Sequence, residues 1–209
     1  LSSSSAASDV YKRQALYRAS DDPWQVRSAW YERRKRELLL ACLGQARYDH
    51  ALEAGCGSGD MTLRLAGRCR QVTAVDLSKT AVSLCREQAQ AHQALGVQAL
   101  ALRLPDEWPA VPPGGFDLMV ISEMAYYLDD AALARFLARI GASLRPGAEL
   151  IACHWRGPFS DRLQPTDTLH AALAALPGMT ALLAHHEPRF RLDAWTCLLY
   201  TSDAADEED

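Results

Sequence analysis

Residues 52–60 read LEAGCGSGD, with glycines at 55, 57 and 59 directly after a short apolar run. A loop of this kind lets backbone approach a nucleotide closely, because a Cβ would block the approach and the turn favours positive φ. An acid, Asp76, stands 21 residues beyond Gly55 in the string AVDLS. There it can accept both hydrogen bonds of a ribose diol. A nicotinamide dinucleotide and S-adenosylmethionine (SAM) both offer that diol, so spacing has to separate them. The dinucleotide fingerprint places its third glycine one position later, where this chain has Asp60. An acid there competes with a pyrophosphate for the helix-terminal amides and repels it. SAM carries no phosphate, and the spacing favours it.

Other chemistry-bearing residues cluster at the ends of apolar runs. Glu53 precedes the first glycine and either orients the loop or meets a cofactor ammonium through water. FDLMVIS (116–122) is followed by Glu123, Tyr126 and Tyr127, and AELIACHW (148–155) contains His154. A carboxylate at a strand's carboxyl end can bind an ammonium or take its proton. His154 titrates near neutrality and is the leading candidate base; the alternative is a hydrogen-bonded structural histidine. His185 and His186 alternate across a strand, so they do not share a metal, and no metal site is expected.

The elements that must position these groups alternate. A helix is expected from Trp24 to about Leu43, capped by Asp22-Pro23. Strands are expected at 50–54, 71–77, 97–104, 116–122, 148–155, 179–186 and 190–195, with helices at 61–68, 79–95, 129–144 and 166–176. Ser78 and Asp129 read as N-caps. This order predicts an α/β, Rossmann-like doubly wound sheet of seven strands. It is mostly parallel, with helices on both faces, and the final strand pair places an antiparallel strand near one edge.

The chain has 209 residues, 49% hydrophobic and 23% charged, as expected of one globular domain with a sizeable core. No run of about 18 apolar residues suggests a membrane span. The ends, 1–14 and 197–209, lack periodicity and resemble translated sequencing-adapter sequence. They are set aside as non-native or disordered tails, leaving a domain over 15–196. The tails hold two basic and six acidic residues, so the body carries 20 of each. The net charge of −4 is therefore a tail effect, and a neutral body argues against a nucleic-acid partner. Six cysteines without a CxxC pair fit buried thiols in a reducing cytoplasm. The expected partner is a small-molecule acceptor; no membrane is expected, and oligomeric state is not legible.

The strings EAGCGSG, AVDLS and FDLMVISEMAYYL resemble class I SAM-dependent methyltransferases. DPWQVRSAWYERRK (22–35), WP (108–109), SEMAYYL (122–128), CHWR (153–156) and TDTLH (166–170) are similar to the branch of nodulation protein S. That resemblance implies cofactor contacts from Glu53, Gly55, Cys56, Gly57, Asp76 and Leu77, and cofactor or acceptor contacts at Ser122 and Glu123. It also implies an N-terminal lid helix at 22–43. On it Tyr31 and Arg34, three residues apart, share a face and meet the methionine carboxylate; the alternative is that ERRKRE (32–37) is a solvated charged face. Catalytic roles fall to Glu123, His154 and Tyr127, with Tyr126 and Tyr127 lining the methyl path and His170 a structural residue. The implied reaction transfers methyl from SAM to a small-molecule acceptor, an amino-sugar nitrogen first among them, with S-adenosylhomocysteine (SAH) as product. O-methylation of another metabolite, or SAM binding without catalysis, are the alternatives. One departure stands out: the acid that relatives carry after the third strand for adenine is missing from ALRLP (101–105), leaving Arg103 there and Asp106 displaced.

Overall fold

The computed structural model describes residues 20, 22 and 25–198. The expected helix start at Pro23-Trp24 lies outside the described residues, as do 1–14 and 199–209. In chain order the elements are α1 (Trp30–Ala41), β1 (Tyr48–Ala54), α2 (Asp60–Ala66), β2 (Cys69–Asp76), α3 (Lys79–Ala91) and β3 (Val97–Ala101). Then come β4 (Phe116–Ser122), a single 3-10 turn (Ala125–Tyr127), α4 (Asp130–Ser143), β5 (Leu144–Trp155), α5 (Thr166–Ala174), β6 (Met179–His186) and β7 (Phe190–Cys197). One seven-stranded sheet results, ordered β3-β2-β1-β4-β5-β7-β6. All pairs from β3 to β5 are parallel, and β7 is antiparallel to both β5 and β6. The doubly wound sheet and its antiparallel strand near one edge match the expectation.

Strand alternation divides the core into two layers. On one face Ala51, Ala74, Val120 and Cys153 pack with Leu39 of α1, Leu65 of α2 and Cys85 of α3. On the other, Leu52, Ile121 and Ala152 pack with Phe136 and Ile140 of α4 and Leu169 of α5. β4, covered on both faces, is buried from Phe116 to Ile121, which explains its unbroken apolar run. The two caps read from sequence form: Ser78 Oγ accepts the Ala81 N–H at 3.2 Å, and Asp129 Oδ1 accepts that of Ala132 at 2.7 Å.

Several boundaries differ from expectation by two residues or more, and three of them have a clear cause or consequence. α1 begins at Trp30 because Asp22 closes a turn instead of a helix. Its Oδ2 accepts from the Arg27 N–H at 3.1 Å, with Gln25 at φ 56°. β5 begins at Leu144, not 148. Pro146-Gly147 forms an irregularity inside the strand, where the register shifts between Phe116 and Leu118 of its neighbour. β7 runs on to Cys197, which pairs with Met179 and is fully buried, although the sequence places it with the tail.

Candidate active site

The carboxyl ends of β1, β2, β4 and β5 open into one cavity of ≈ 690 Å³, roofed by α1. This is where an open parallel sheet places its ligand, at the reversal of strand order between β1 and β4.

The glycine loop forms its floor, and each glycine has a separate task. Gly55 has φ 84°, and a Cβ there would lie 2.9 Å from Met124 Cβ and 3.0 Å from the Ser122 carbonyl oxygen. The loop is thus pressed against the turn that follows β4. Gly59, at φ 97°, would place a Cβ 2.8 Å from Cys85 Sγ, so it serves the packing of α2 on α3. The Gly57 N–H donates to Asp76 Oδ2 at 3.0 Å, while Asp76 Oδ1 accepts the Ser78 N–H at 2.8 Å. Asp76 therefore ties the loop to the end of β2 as well as lining the cavity. Asp60 opens α2, accepts from Ser58 Oγ at 3.0 Å and pairs with Arg27 at 3.3 Å. A carboxylate at that helix start is favoured by the macrodipole.

A charge network around the buried Lys35 closes the opposite wall. Lys35 Nζ reaches Glu123 Oε1 at 2.6 Å and Glu32 Oε2 at 2.8 Å. Glu123 Oε2 accepts from Tyr126 OH at 2.6 Å and from the Trp155 N–H at 3.0 Å. Glu123 sits at φ 55°, a left-handed conformation that a non-glycine residue adopts only under constraint. Its position after β4, its backbone bond to the Cys153 carbonyl and its three side-chain donors supply that constraint. Beyond it stand Tyr127, Trp155 and Phe159. Arg189 lies 4.6 Å from the Tyr31 ring centre and 5.0 Å from that of Trp155, bracing this aromatic wall.

Most of the residues expected from sequence meet here: Tyr31, Glu53, Gly55, Cys56, Gly57, Asp76, Ser122, Glu123 and Tyr127 all line the cavity. Three others are elsewhere. Arg34 pairs with Glu187 at 2.6 and 2.9 Å, clasping α1 to the β6–β7 turn. The cavity-facing stripe of α1 is 31, 32, 35, 36 and 39, and Arg34 projects from the opposite side of the helix. Leu77 follows Asp76 without lining the cavity. His154 belongs to the other face of β5, because Cys153 and Trp155 take the cavity face. It is fully buried against Tyr126, with Nδ1 3.0 Å from His170 Nε2, and His170 Nδ1 is 2.9 Å from Asp193 Oδ2. His154 Nε2, on the far side of the ring, is buried without a hydrogen-bond partner. Burial, then His170, hold the His154 imidazole well below its ordinary pKa. The displaced Asp106 pairs with Arg135 at 3.0 Å, away from the cavity.

Residues 51–147 match the methyltransferase domain family. The crystal structure of a candidate methyltransferase from Pseudomonas syringae is 40% identical. It superposes with a TM-score of 0.70 over 80% of this chain and 99% of its own. Nodulation protein S of Rhizobium tropici is 29% identical over 87% of this chain and 75% of its own. The chain belongs to the class I SAM-dependent methyltransferases. The N-methyltransferase NodS from Bradyrhizobium japonicum WM9, in a crystal structure with SAH, shares the fold. Identity there is 21%, with a TM-score of 0.77 over 90% of this chain and 98% of that one. Nodulation proteins S are thus among the proteins that this methyltransferase is similar to in sequence and in fold.

Two features of the methyltransferase site escaped sequence reading. ERRKRE looks like a solvated face, yet Lys35 and Arg36 are buried. The signal is their helical register with Tyr31 and Leu39, which requires knowing that α1 lies over the cavity. Burial lowers the Lys35 pKa, but Glu123 and Glu32 outweigh it and hold the ammonium charged above its ordinary range. The second is the full burial of Glu53, a residue already singled out from its place before Gly55. Desolvation raises its carboxyl to about 8 against the opposing hydrogen bond from Thr62 at 2.6 Å. Among the described residues no cluster of histidine, cysteine or acids is built to hold a metal, and no helix is long and apolar enough to cross a membrane.

Proposed function

We propose that this methyltransferase transfers the SAM methyl group to an amine nitrogen of a small-molecule acceptor, with an amino sugar or its oligosaccharide as the first choice. The observation that carries this reading is Glu123. It is a carboxylate at the cavity end of β4, fixed by Lys35, Tyr126 and the Trp155 amide, and faced by the aromatic wall of Tyr127, Trp155 and Phe159. A carboxylate beside aromatic faces suits an amine on a sugar ring. The N-methyltransferase name of the NodS neighbour supports the same atom.

The cavity fits SAM on its own features. Gly55 leaves a cradle that a Cβ would fill, Asp76 stands where a ribose diol needs an acceptor, and Glu53 is a buried carboxyl suited to an ammonium. Bound there, SAM supplies a sulfonium methyl with an excellent leaving group. What remains for the protein is alignment and exclusion of water. Glu123 accepts the acceptor's N–H, orients the nitrogen and takes its proton. Tyr127 and Trp155 wall the methyl path. Lys35 keeps Glu123 in place and offsets its charge. His154 supports Tyr126 from behind and transfers no proton. The six cysteines are free, as suits a reducing cytoplasm, and nucleic acid is not the acceptor.

An acceptor panel followed by SAH release tests this. Deacetylated chitooligosaccharides are expected to yield an N-methyl product, strongly reduced in Glu123→Gln. Methylation confined to hydroxyl or carboxyl acceptors overturns it.

A further inference from the structure

Tyr31 lines the cavity, yet among the described residues its hydroxyl is buried without a hydrogen-bond partner. A buried hydroxyl left unpaired is costly, and such groups normally find a partner. The ring fixes where this one sits. Tyr31 stands edge-on to Trp155, with ring centres 5.7 Å apart and 89° between planes, and to Phe190 at 6.1 Å and 77°. The Arg189 guanidinium lies 4.6 Å from the same ring centre. Burial, reinforced by Glu123 and Glu32 and opposed by Lys35, pushes the phenol up to about 12. It therefore keeps its proton at neutral pH and remains a donor.

Those ring contacts place Tyr31 on one side of the cavity. Trp155 ends β5 and Phe190 begins β7, two and three places from β1 in the sheet. At the usual strand spacing they stand roughly 10–14 Å across the sheet from the strand that carries the glycine loop. The carboxylate on this side is Glu123. Lys35 Nζ lies 5.4 Å from the Tyr31 ring centre and 2.6 Å from Glu123 Oε1, so phenol and carboxylate are neighbours without bonding each other. An ionised carboxylate offers about four lone-pair sites. Lys35, Tyr126 and the Trp155 amide fill three of those on Glu123, which leaves one for a further N–H. The same half of the cavity thus holds one open site for an N–H and one unused O–H.

We propose that the Tyr31 hydroxyl belongs to the subsite of the methyl acceptor, where it donates to an oxygen carried beside the amine whose N–H Glu123 accepts. The substrate class is then a vicinal amino alcohol, not an amine alone, and Tyr31 is a specificity-determining residue for it. This role differs from the methionine-carboxylate contact that family resemblance implies for Tyr31. It rests on the methyl acceptor being an amine.

Two amines that differ by a single hydroxyl, trans-2-aminocyclohexanol and cyclohexylamine, test it when SAH release is measured with each. The parent is expected to favour the amino alcohol in kcat/KM by roughly 3–10-fold, the scale of one hydrogen bond. Tyr31→Phe keeps the ring and its packing and should erase that preference through the amino alcohol alone. Its kcat/KM for cyclohexylamine and its calorimetric affinity for SAH are expected to stay as in the parent, which also shows that the variant is folded. A preference that survives in Tyr31→Phe overturns the proposal, as does an equal loss for both amines. Weaker SAH binding with the preference intact overturns it too, and assigns the phenol to the donor. A parent that takes both amines alike, or neither, likewise overturns it. If no amine of any kind is methylated, the amine assignment itself fails, a separate outcome.

Discussion

Glu53 is a carboxyl whose charged form is disfavoured by burial, and its pKa near 8 links the site to stability. A folded-state pKa above the unfolded value means the native protein holds a proton that the unfolded chain has lost. That stabilisation is full below about 4.5 and disappears as pH rises through about 8. The ligand-free protein is therefore expected to melt at progressively lower temperature as pH rises from about 4.5 to about 8, the span between the two pKa values, with no further loss from this group above it. Glu53→Gln should flatten the dependence, and a variant with the parent's slope would contradict it. At Gly55 the expectation is steric. Gly55→Ala forces a Cβ against Met124 and the Ser122 carbonyl at a φ of 84°. It should cost about 1–3 kcal/mol in denaturant unfolding and abolish measurable SAH binding. Gly55, Gly57 and Asp76 were legible because their tasks are backbone tasks that spacing encodes. Arg34 and His154 were misplaced because side-chain direction depends on which face of an element meets the cavity. A one-position error on a strand reverses that face.

α1 roofs the site, and its register determines which of its charges work inside. Tyr31, Glu32, Lys35, Arg36 and Leu39 face the cavity, while Arg34 reaches outward to the hairpin of β6 and β7. Arg34→Ala is expected to speed hydrogen exchange over residues 30–41 with little change in melting temperature, because the pair is partly exposed. Uniform exchange in the parent and the variant would show that the clasp is idle. The loop before α5 is fixed differently: Arg162 donates to the Trp155 and Gly157 carbonyls at 2.7 and 3.0 Å and stacks over Tyr126 and Phe159. That frame holds the aromatic wall in place. Cap chemistry at Ser78 and Asp129 was readable because a cap is local. Asp129→Ala should destabilise the fold by about 1 kcal/mol in the same unfolding measurement. The start of α1 was not readable: the Asp22 carboxylate bonds the backbone of a turn, and only the path of the chain decides between turn and helix.

For the whole molecule, alternation of strands and helices was enough to give the doubly wound sheet, because parallel strands require covering helices and right-handed crossovers. The sheet order then places the ends of β1, β2, β4 and β5 around one cavity, and the donor and acceptor ends of the reaction follow from which strands open there. In the proposed reaction two carboxyl groups mark those ends: Glu53 with the glycine loop on one side, Glu123 with Lys35 and the aromatic wall on the other. The central claim is that a methyl group passes between them, from SAM to an amine nitrogen. Incubating the full chain with SAM labelled at its methyl carbon and deacetylated chitooligosaccharides, then reading the product by NMR, tests it most directly. The label is expected on nitrogen, with SAH formed in equal amount and the signal lost in Glu123→Ala. SAH formation with the label on oxygen, or no transfer to any amine while another acceptor class is methylated, would contradict it.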